Sequence, residues 1–280
     1  MSIISAIGIL FFRRKIRVLA YHKVPDIRSF QEQVKYLKSN FNIISLEDLI
    51  DAFYHGKKLN PKSLLITFDD GDYSVYENAL PILKEENINA VLFIITKLIN
   101  SNQTFWWDEL EYYLGENKGN EITWKLKDLP NIERENFLSE LRDKSEKPSL
   151  RVKQLKSEEL QIMNKSNLQI ANHSHTHPMF DKCSVAELEK EMDQSMSFLK
   201  DLNLYSDVFA YPNGNLDLTS EKVLQNQGIK LAFLFDHKLA NLYNPLRISR
   251  IRVDASLPIH EFKAKVSGLH SIIYHRSIKV

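Results

Sequence analysis

Alternation is the feature that most restricts what this chain can fold into. Strand signals recur at "IRVLAYH" (16–22), "SLLITFDDG" (63–71), "INAVLFII" (88–95), 168–172, 208–211, 230–235 and 247–253, several of them continuous apolar runs. Between them lie segments with helical spacing. Phe30, Val34 and Leu37 share one face of "SFQEQVKYLKSN" (29–40). "FNIISLEDLIDAFYHG" predicts a short strand and then a helix that Ser45 caps, with Asp48 three residues on, and that Gly56 ends. Residues 74–87 predict a helix kinked at Pro81. Further helices are predicted at 157–166, 184–203, 217–227 and 258–267, the second opened by a capping-box pair, Ser184 and Glu187. Strands apolar at every position are buried on both faces, which is the environment of a parallel sheet covered by helices. About seven such units predict an α/β fold and favour a (β/α) barrel over an open sheet.

The alternation breaks from residue 101 to about 156. This stretch is charged and aromatic-bearing, with Trp106, Trp107 and Trp124. It reads as an insertion with helical pieces of its own, either a substrate wall with Trp107 as a contact or a packed decoration. At the N-terminus, the apolar "IISAIGILFF" is followed by Arg13, Arg14 and Lys15. It falls short of the about 20 residues a bilayer span requires. Its charges follow the apolar run, the reverse of a secretory signal. Residues 3–15 therefore read as a buried first element or as an interfacial anchor beside a basic cluster. The expected organisation is a 1–15 segment followed by a 16–280 barrel domain interrupted at 101–156. The expected location is the cytoplasm or the inner face of the membrane.

A net charge of +1 and the lack of a basic stripe argue against a nucleic-acid partner. The lone Cys183 excludes an intrachain disulfide and reads as structural.

Four strand ends carry chemistry: Tyr21-His22, Asp69-Asp70-Gly71, His173 to Pro178, and Tyr211 to Gly214. Barrel enzymes place functional groups at the C-terminal ends of their strands, so a parallel sheet brings all four together. "DDGD" alone also fits a turn with Gly71 at positive φ. Side chains alternate along a strand, so one carboxylate could meet a metal while the other faces substrate. His173 and His177 are spaced to reach one ion, and Asp70 completes a set of three ligands. His175 points elsewhere in that arrangement, as a supporting or packing residue.

Thr67 to Gly71, "TFDDG", and His173 to Pro178, "HSHTHP", resemble the first two motifs of the polysaccharide deacetylase family (NodB-homology, family-four carbohydrate esterases). "VLAYHKV" and "FAYPNG" are similar to its exopolysaccharide branch, and the resemblance covers roughly residues 17 to 265. It implies a distorted (β/α) barrel and hydrolysis of the N-acetyl group of an N-acetylhexosamine, in a polysaccharide or a lipid-linked precursor. Asp70, His173 and His177 would hold a divalent metal and Asp69 would be the general base. Zn²⁺ suits such a set, with Co²⁺, Ni²⁺ or Mn²⁺ as alternatives. In the third motif the donor to the oxyanion falls on Asn213, beside Tyr211, with Gly214 permitting close approach.

Two departures stand out. The third motif lacks its arginine, for which Arg250 in "LRISRIRV" is the candidate replacement. The general-acid motif is not recognisable. His270 and His275 lie near the terminus, and His22 is the better placed histidine. Two other functions fit the same residues: hydrolysis of another linear or cyclic amide, and a glycan-binding protein with an intact metal site but no turnover.

Overall fold

The computed structural model describes residues 3–269, so His270 and His275 lie outside the described residues. The chain runs α1 (Ile3–Phe11), β1 (Arg17–Tyr21), α2 (Ile27–Asn40), β2 (Asn42–Ile43), α3 (Leu46–Tyr54), β3 (Ser63–Phe68), α4 (Leu80–Glu85) and β4 (Ala90–Ile94). Three helices follow, α5 (Trp106–Leu114), α6 (Glu116–Lys127) and α7 (Asn131–Lys144). Then come α8 (Ser157–Asn164), β5 (Leu168–Asn172), α9 (Val185–Asp201), β6 (Tyr205–Ala210), α10 (Leu218–Asn226), β7 (Leu231–Phe233), β8 (Ile251–Arg252) and α11 (Ile259–Val266).

Every named strand pair is parallel, in the order β7-β6-β5-β4-β3-β1-β8, with β2 paired to the start of β3. Ile248 bridges to Phe233 of β7, and three residues later Ile251 pairs with Leu19 of β1. One segment thus touches both ends of the sheet and curls it into a distorted barrel. β8 is two residues long, shorter than the strand predicted at 247–253.

Strand alternation sorts the core into two layers. Val18, Leu65, Val91, Phe93, Ala171, Val208 and Phe233 form one buried cluster, the barrel interior. Their neighbours Leu19, Leu64, Ile66, Leu92 and Ile170 pack outward with Phe30, Val34 and Leu37 of α2 and Phe262 of α11. Both parities are buried, so the strands are apolar throughout. Truncating a large interior side chain such as Phe93 to alanine costs about 3–5 kcal/mol.

Local signals hold at the helix starts. Ser45 with Asp48, and Ser184 with Glu187, form complete capping boxes. Asp26 caps α2 through the N–H groups of Arg28 and Ser29, two residues ahead of the predicted start. The helix predicted at 74–87 divides differently. Val75–Ala79 forms a π-helical turn before α4, and Pro81 sits in the first turn of α4, where its missing N–H costs little.

The insertion is a set of helices folded onto the barrel rim. Gly119 lets α6 cross α5 closely: a Cβ there would stand 2.5 Å from the Glu111 Cα. Gly119→Ala is therefore expected to spread the α5–α6 pair and destabilise the protein by about 1–3 kcal/mol. Urea unfolding and limited proteolysis within 106–127 measure this, and wild-type values in both would show that the contact is not tight.

Candidate active site

The site lies where the C-terminal ends of β1, β3, β5 and β6 meet under the insertion. Alternation along β3 turns Thr67 and Asp69 inward with Leu65. Asp69 is buried, and its two carboxylate oxygens each accept at 2.7 Å from Nη1 and Nη2 of Arg250. Arg250 has no exposed surface. Its Nη1 also donates to Thr67 Oγ1 at 3.1 Å and its Nε to the Leu234 carbonyl at 2.6 Å. Sequence reasoning placed Arg250 opposite Asp69, and the structure brings them together. Burial pushes the Asp69 carboxyl up, but the Arg250 guanidinium, with help from His173 and His22, outweighs it and holds the group below the usual carboxylate range.

Asp70 turns the other way. Its φ is +71°, an uncommon backbone conformation for a non-glycine residue, and Gly71 follows at +85°. The turn swings the Asp70 carboxylate onto the histidines. Oδ1 lies 3.3 Å from Nε2 of His173 and 3.5 Å from Nε2 of His177. The His173 Nδ1 faces the Ala210 carbonyl at 2.8 Å, so Nδ1 carries the proton and Nε2 presents a lone pair to Asp70. Two acceptors at that distance repel unless a proton or a cation lies between them. Asp70 Oδ1 is fully buried with no hydrogen-bond partner.

The three ligand atoms lie within 4.8 Å of one another. Tetrahedral ligands at zinc-like bond lengths stand about 3.3–3.5 Å apart, which is the spacing of Asp70 to each imidazole. The residues therefore fit a divalent metal. Burial lifts the Asp70 carboxyl, but the facing His173 ring and the charge that His22, His177 and His173 carry when protonated bring it well below its ordinary value. His177, desolvated, is held well below the ordinary histidine value despite the Asp70 charge, and so stays neutral, as a ligand must be.

The loop that holds the histidines is itself held. His177 and Ser174 both have positive φ, +60° and +69°. The buried Glu191 of α9 accepts from the N–H groups of His175 and Thr176 and from the Thr176 hydroxyl. Arg134 of α7 reaches in to donate to the His177 carbonyl at 2.8 Å. No pattern in the sequence links Glu191 or Arg134 to the motif. His175 faces away, its Nδ1 2.9 Å from Thr96 Oγ1.

A cavity of about 270 Å³ opens over the three ligands. Its lining includes His22, Asp69, Trp107, Asn213 and Phe235. Trp107 stands edge-on to His177, with ring centroids 4.8 Å apart. His22 lies edge-on to Phe235 at 5.3 Å. The insertion adds Glu111, Asn120, Thr123, Trp124 and Lys127, and β8 adds Arg252. None of these six was singled out as a contact from sequence, because helical phase in a charged segment does not say which side meets a barrel.

Two sequence expectations are corrected. Tyr211 is no substrate contact: it is fully buried, its ring edge-on to those of Phe180 and Phe209, because the strand directs that side chain away from the cavity. Gly214 does not line the cavity either. Its φ is +77° and a Cβ would lie 2.7 Å from the Phe235 nitrogen, so its lack of a side chain serves a backbone-to-backbone approach. Cys183 donates to the Met179 carbonyl, and burial pushes its thiol up to about 12, which leaves it unreactive near neutrality.

The profile of the polysaccharide deacetylase family matches residues 56–232, and the chain belongs to that family. Among curated proteins, a poly-beta-1,6-N-acetyl-D-glucosamine N-deacetylase of Staphylococcus aureus strain MRSA252 is 28% identical over 222 residues, 75% of this chain and 60% of the relative. The chain thus spans about 60% of the length of that relative. Among solved structures, the Streptococcus pyogenes deacetylase PplD superposes with a TM-score of 0.66 at 19% identity, covering 90% of this chain and 98% of that one. IcaB from Ammonifex degensii gives 0.66 at 21% identity, covering 91% and 97%. These likenesses establish the NodB-type barrel.

Arg250→Met leaves a buried carboxylate unpaired, and a loss of about 3–5 kcal/mol is expected in urea unfolding. Because the folded Asp69 is depressed, its contribution to stability is complete above its unfolded value of about 3.9 and is lost as pH falls through the lower folded value. Without Arg250 burial prevails and the folded carboxyl rises above its unfolded value; the sign then reverses, and this group's acid-side fall in stability is replaced by a loss as pH rises through the raised folded value. An unshifted pH–stability curve would detach Asp69 from Arg250.

Proposed function

We propose that this protein is a metal-dependent deacetylase that removes the acetyl group from an N-acetylhexosamine of a polysaccharide. The single observation that carries the reading is the pairing of a three-ligand set, Asp70, His173 and His177, with a separate ionised carboxylate, Asp69, in one cavity. Family membership and the name of the staphylococcal relative support the substrate class.

A divalent metal held by Asp70, His173 and His177 supplies polarisation of the acetamide carbonyl and acidification of a water. Zn²⁺ leads among the candidates on donor type, with Co²⁺, Ni²⁺ and Mn²⁺ accepted by the same ligands. Asp69, fixed by Arg250, takes the proton of the attacking water as the oxygen adds to the carbonyl carbon. The Asn213 main-chain N–H stabilises the developing oxyanion. The C–N bond then breaks, His22 delivers a proton to the departing nitrogen, and acetate and the free amine leave. Trp107 supplies an apolar wall for the acetyl methyl or the sugar ring. A non-catalytic glycan binder would share the ligand set but has no use for an ionised base beside it; hydrolysis of another amide would use the same groups, and family membership and the named relative favour the acetylated sugar.

Purified protein is expected to release amine from acetylated chitooligosaccharide or poly-N-acetylglucosamine, and chelator should abolish this. Asp69→Asn should retain metal and lose at least about 100-fold in kcat. His173→Ala should lose metal by elemental analysis, and His22→Ala should lower kcat. Metal-loaded protein that hydrolyses no acetylated sugar would sink the reading.

A second reading concerns residues 3–15. Among the described residues no helix is long and apolar enough to cross a membrane. On α1, Ile9 is buried while Ile7, Leu10 and Phe11 are exposed, Phe11 at 78%. Arg13, Arg14 and Lys15 follow, all exposed, and Arg14 and Lys15 share a surface cavity with Lys57, Lys58 and Tyr243. This apolar-and-basic surface suits peripheral contact with an anionic bilayer. It lies at the N-terminal ends of β1 and β3, opposite the catalytic cavity. A five-residue strand alone separates the two ends by about 17 Å. That favours a polymer over a lipid-linked sugar held at the same membrane. Binding to vesicles containing phosphatidylglycerol, lost in high salt and in Phe11→Asp with Arg13→Glu, is the expected sedimentation result; equal binding to neutral vesicles would count against it.

A further inference from the structure

The lining of the catalytic cavity carries two positive charges that the deacetylation chemistry leaves unused. Lys127 arrives from the last turn of α6 and Arg252 from the end of β8, and both line the cavity. Among the described residues neither forms an ion pair with a carboxylate. Glu111 lines the same cavity yet pairs with neither of them.

Lys127 is held in place by neutral groups. Its Nζ donates to Asn213 Oδ1 at 3.0 Å and lies 4.5 Å from the centre of the Trp124 ring. Asn213 is itself oriented, since its Nδ2 donates to Asn215 Oδ1 at 2.6 Å, and Asn215 Nδ2 donates to Asp181 Oδ1 at 3.0 Å. One ammonium bond is thus satisfied and the others are left for a ligand. The Arg252 guanidinium lies 5.8 Å from the centre of the Phe235 ring. Burial lowers the Lys127 ammonium, Asp70 opposes this, and the charge on Arg252 lowers it further. Two like charges lining one cavity repel, and a bound anion relieves that repulsion and supplies charge-assisted hydrogen bonds.

We propose that Lys127 and Arg252 form an anion subsite beside the reacting acetamide, so that the preferred substrate is an N-acetylhexosamine bearing, or adjoining, a carboxylate or a phosphate. The inference rests on the deacetylase reading for its position in the reaction. It narrows the substrate class: a neutral N-acetylglucosamine polymer offers these cations no partner. It also gives the products an exit. The newly formed ammonium on the sugar is repelled by the same charges that attracted the anion.

The test compares three substrates of matched length with metal-loaded protein: a neutral N-acetylglucosamine oligosaccharide, one alternating with glucuronate, and one carrying phosphate. The kcat/KM for amine release on at least one anionic substrate should exceed the neutral one by about tenfold or more. Which of the two wins identifies carboxylate or phosphate as the source. Lys127→Gln and Arg252→Gln should each collapse that ratio, mainly through KM, while Lys127→Arg should preserve much of it. Equal efficiency on all three substrates would overturn the subsite and leave the deacetylase reading standing. So would an equal loss on neutral and anionic substrates, since the pair would then act on the acetamide common to all. If nothing is hydrolysed, calorimetric binding of the same three compounds decides. Binding of the anionic ones alone, weakened at least about tenfold by either glutamine variant, keeps the subsite while the deacetylase reading falls. Indifferent binding removes the subsite.

Discussion

The guanidinium of Arg250 is the contact on which the rest of the site depends. It sits inside the barrel at the seam where the segment before β8 touches β7 on one side and β1 on the other. From there it binds the Leu234 carbonyl beyond β7 and the Thr67 hydroxyl and Asp69 carboxylate at the end of β3. The rings of Phe93 and Phe235 flank it at 5.5 and 5.9 Å. A buried ion pair of this kind offers little net stability compared with an apolar replacement, because desolvation offsets the attraction. What it provides is geometry and charge. It holds Asp69 ionised despite its burial, at one fixed orientation, next to Asp70 and its two histidines.

That adjacency is the economy of the Asp69-Asp70 pair. Two neighbouring carboxylates in a buried site repel each other, and each needs its own cation. Alternation sends Asp69 inward to Arg250. A left-handed turn at Asp70 sends the second carboxylate to His173 and His177. The two acids are thereby given different electrostatic partners and different tasks. The strain of three non-glycine residues at positive φ, Asp70, Ser174 and His177, costs on the order of 1–3 kcal/mol each and is sustained by the bonds from Glu191 and Arg134.

The helical insertion changes the barrel from an open cup into a cavity with a roof. Arg134 of α7 ties it to the His177 carbonyl, and Trp107 of α5 stands against the His177 ring. Through α6 it contributes Trp124 and Lys127, so the segment that looked least regular in sequence supplies much of the surface a sugar would meet. The strand ends thus bring the titratable groups and the inserted helices much of the remaining lining, a division common to barrel enzymes.

Much was legible in the sequence by itself. Continuous apolar runs require burial on both faces, so the parallel, helix-covered architecture followed from pattern alone, as did the capping boxes at Ser45 and Ser184. Asp70, His173 and His177 were readable as a set because their residue types and strand-end positions are local properties. Tertiary structure decided what depends on distance across the barrel. It brought Arg250 to Asp69 across 181 residues of chain, buried Tyr211 in the core rather than in the cavity, and put Lys127 and Arg252 into the lining of one cavity. The physical reason is that sequence periodicity reports which face of an element is apolar, whereas the partner that face or a lone charge meets is chosen only when the sheet closes.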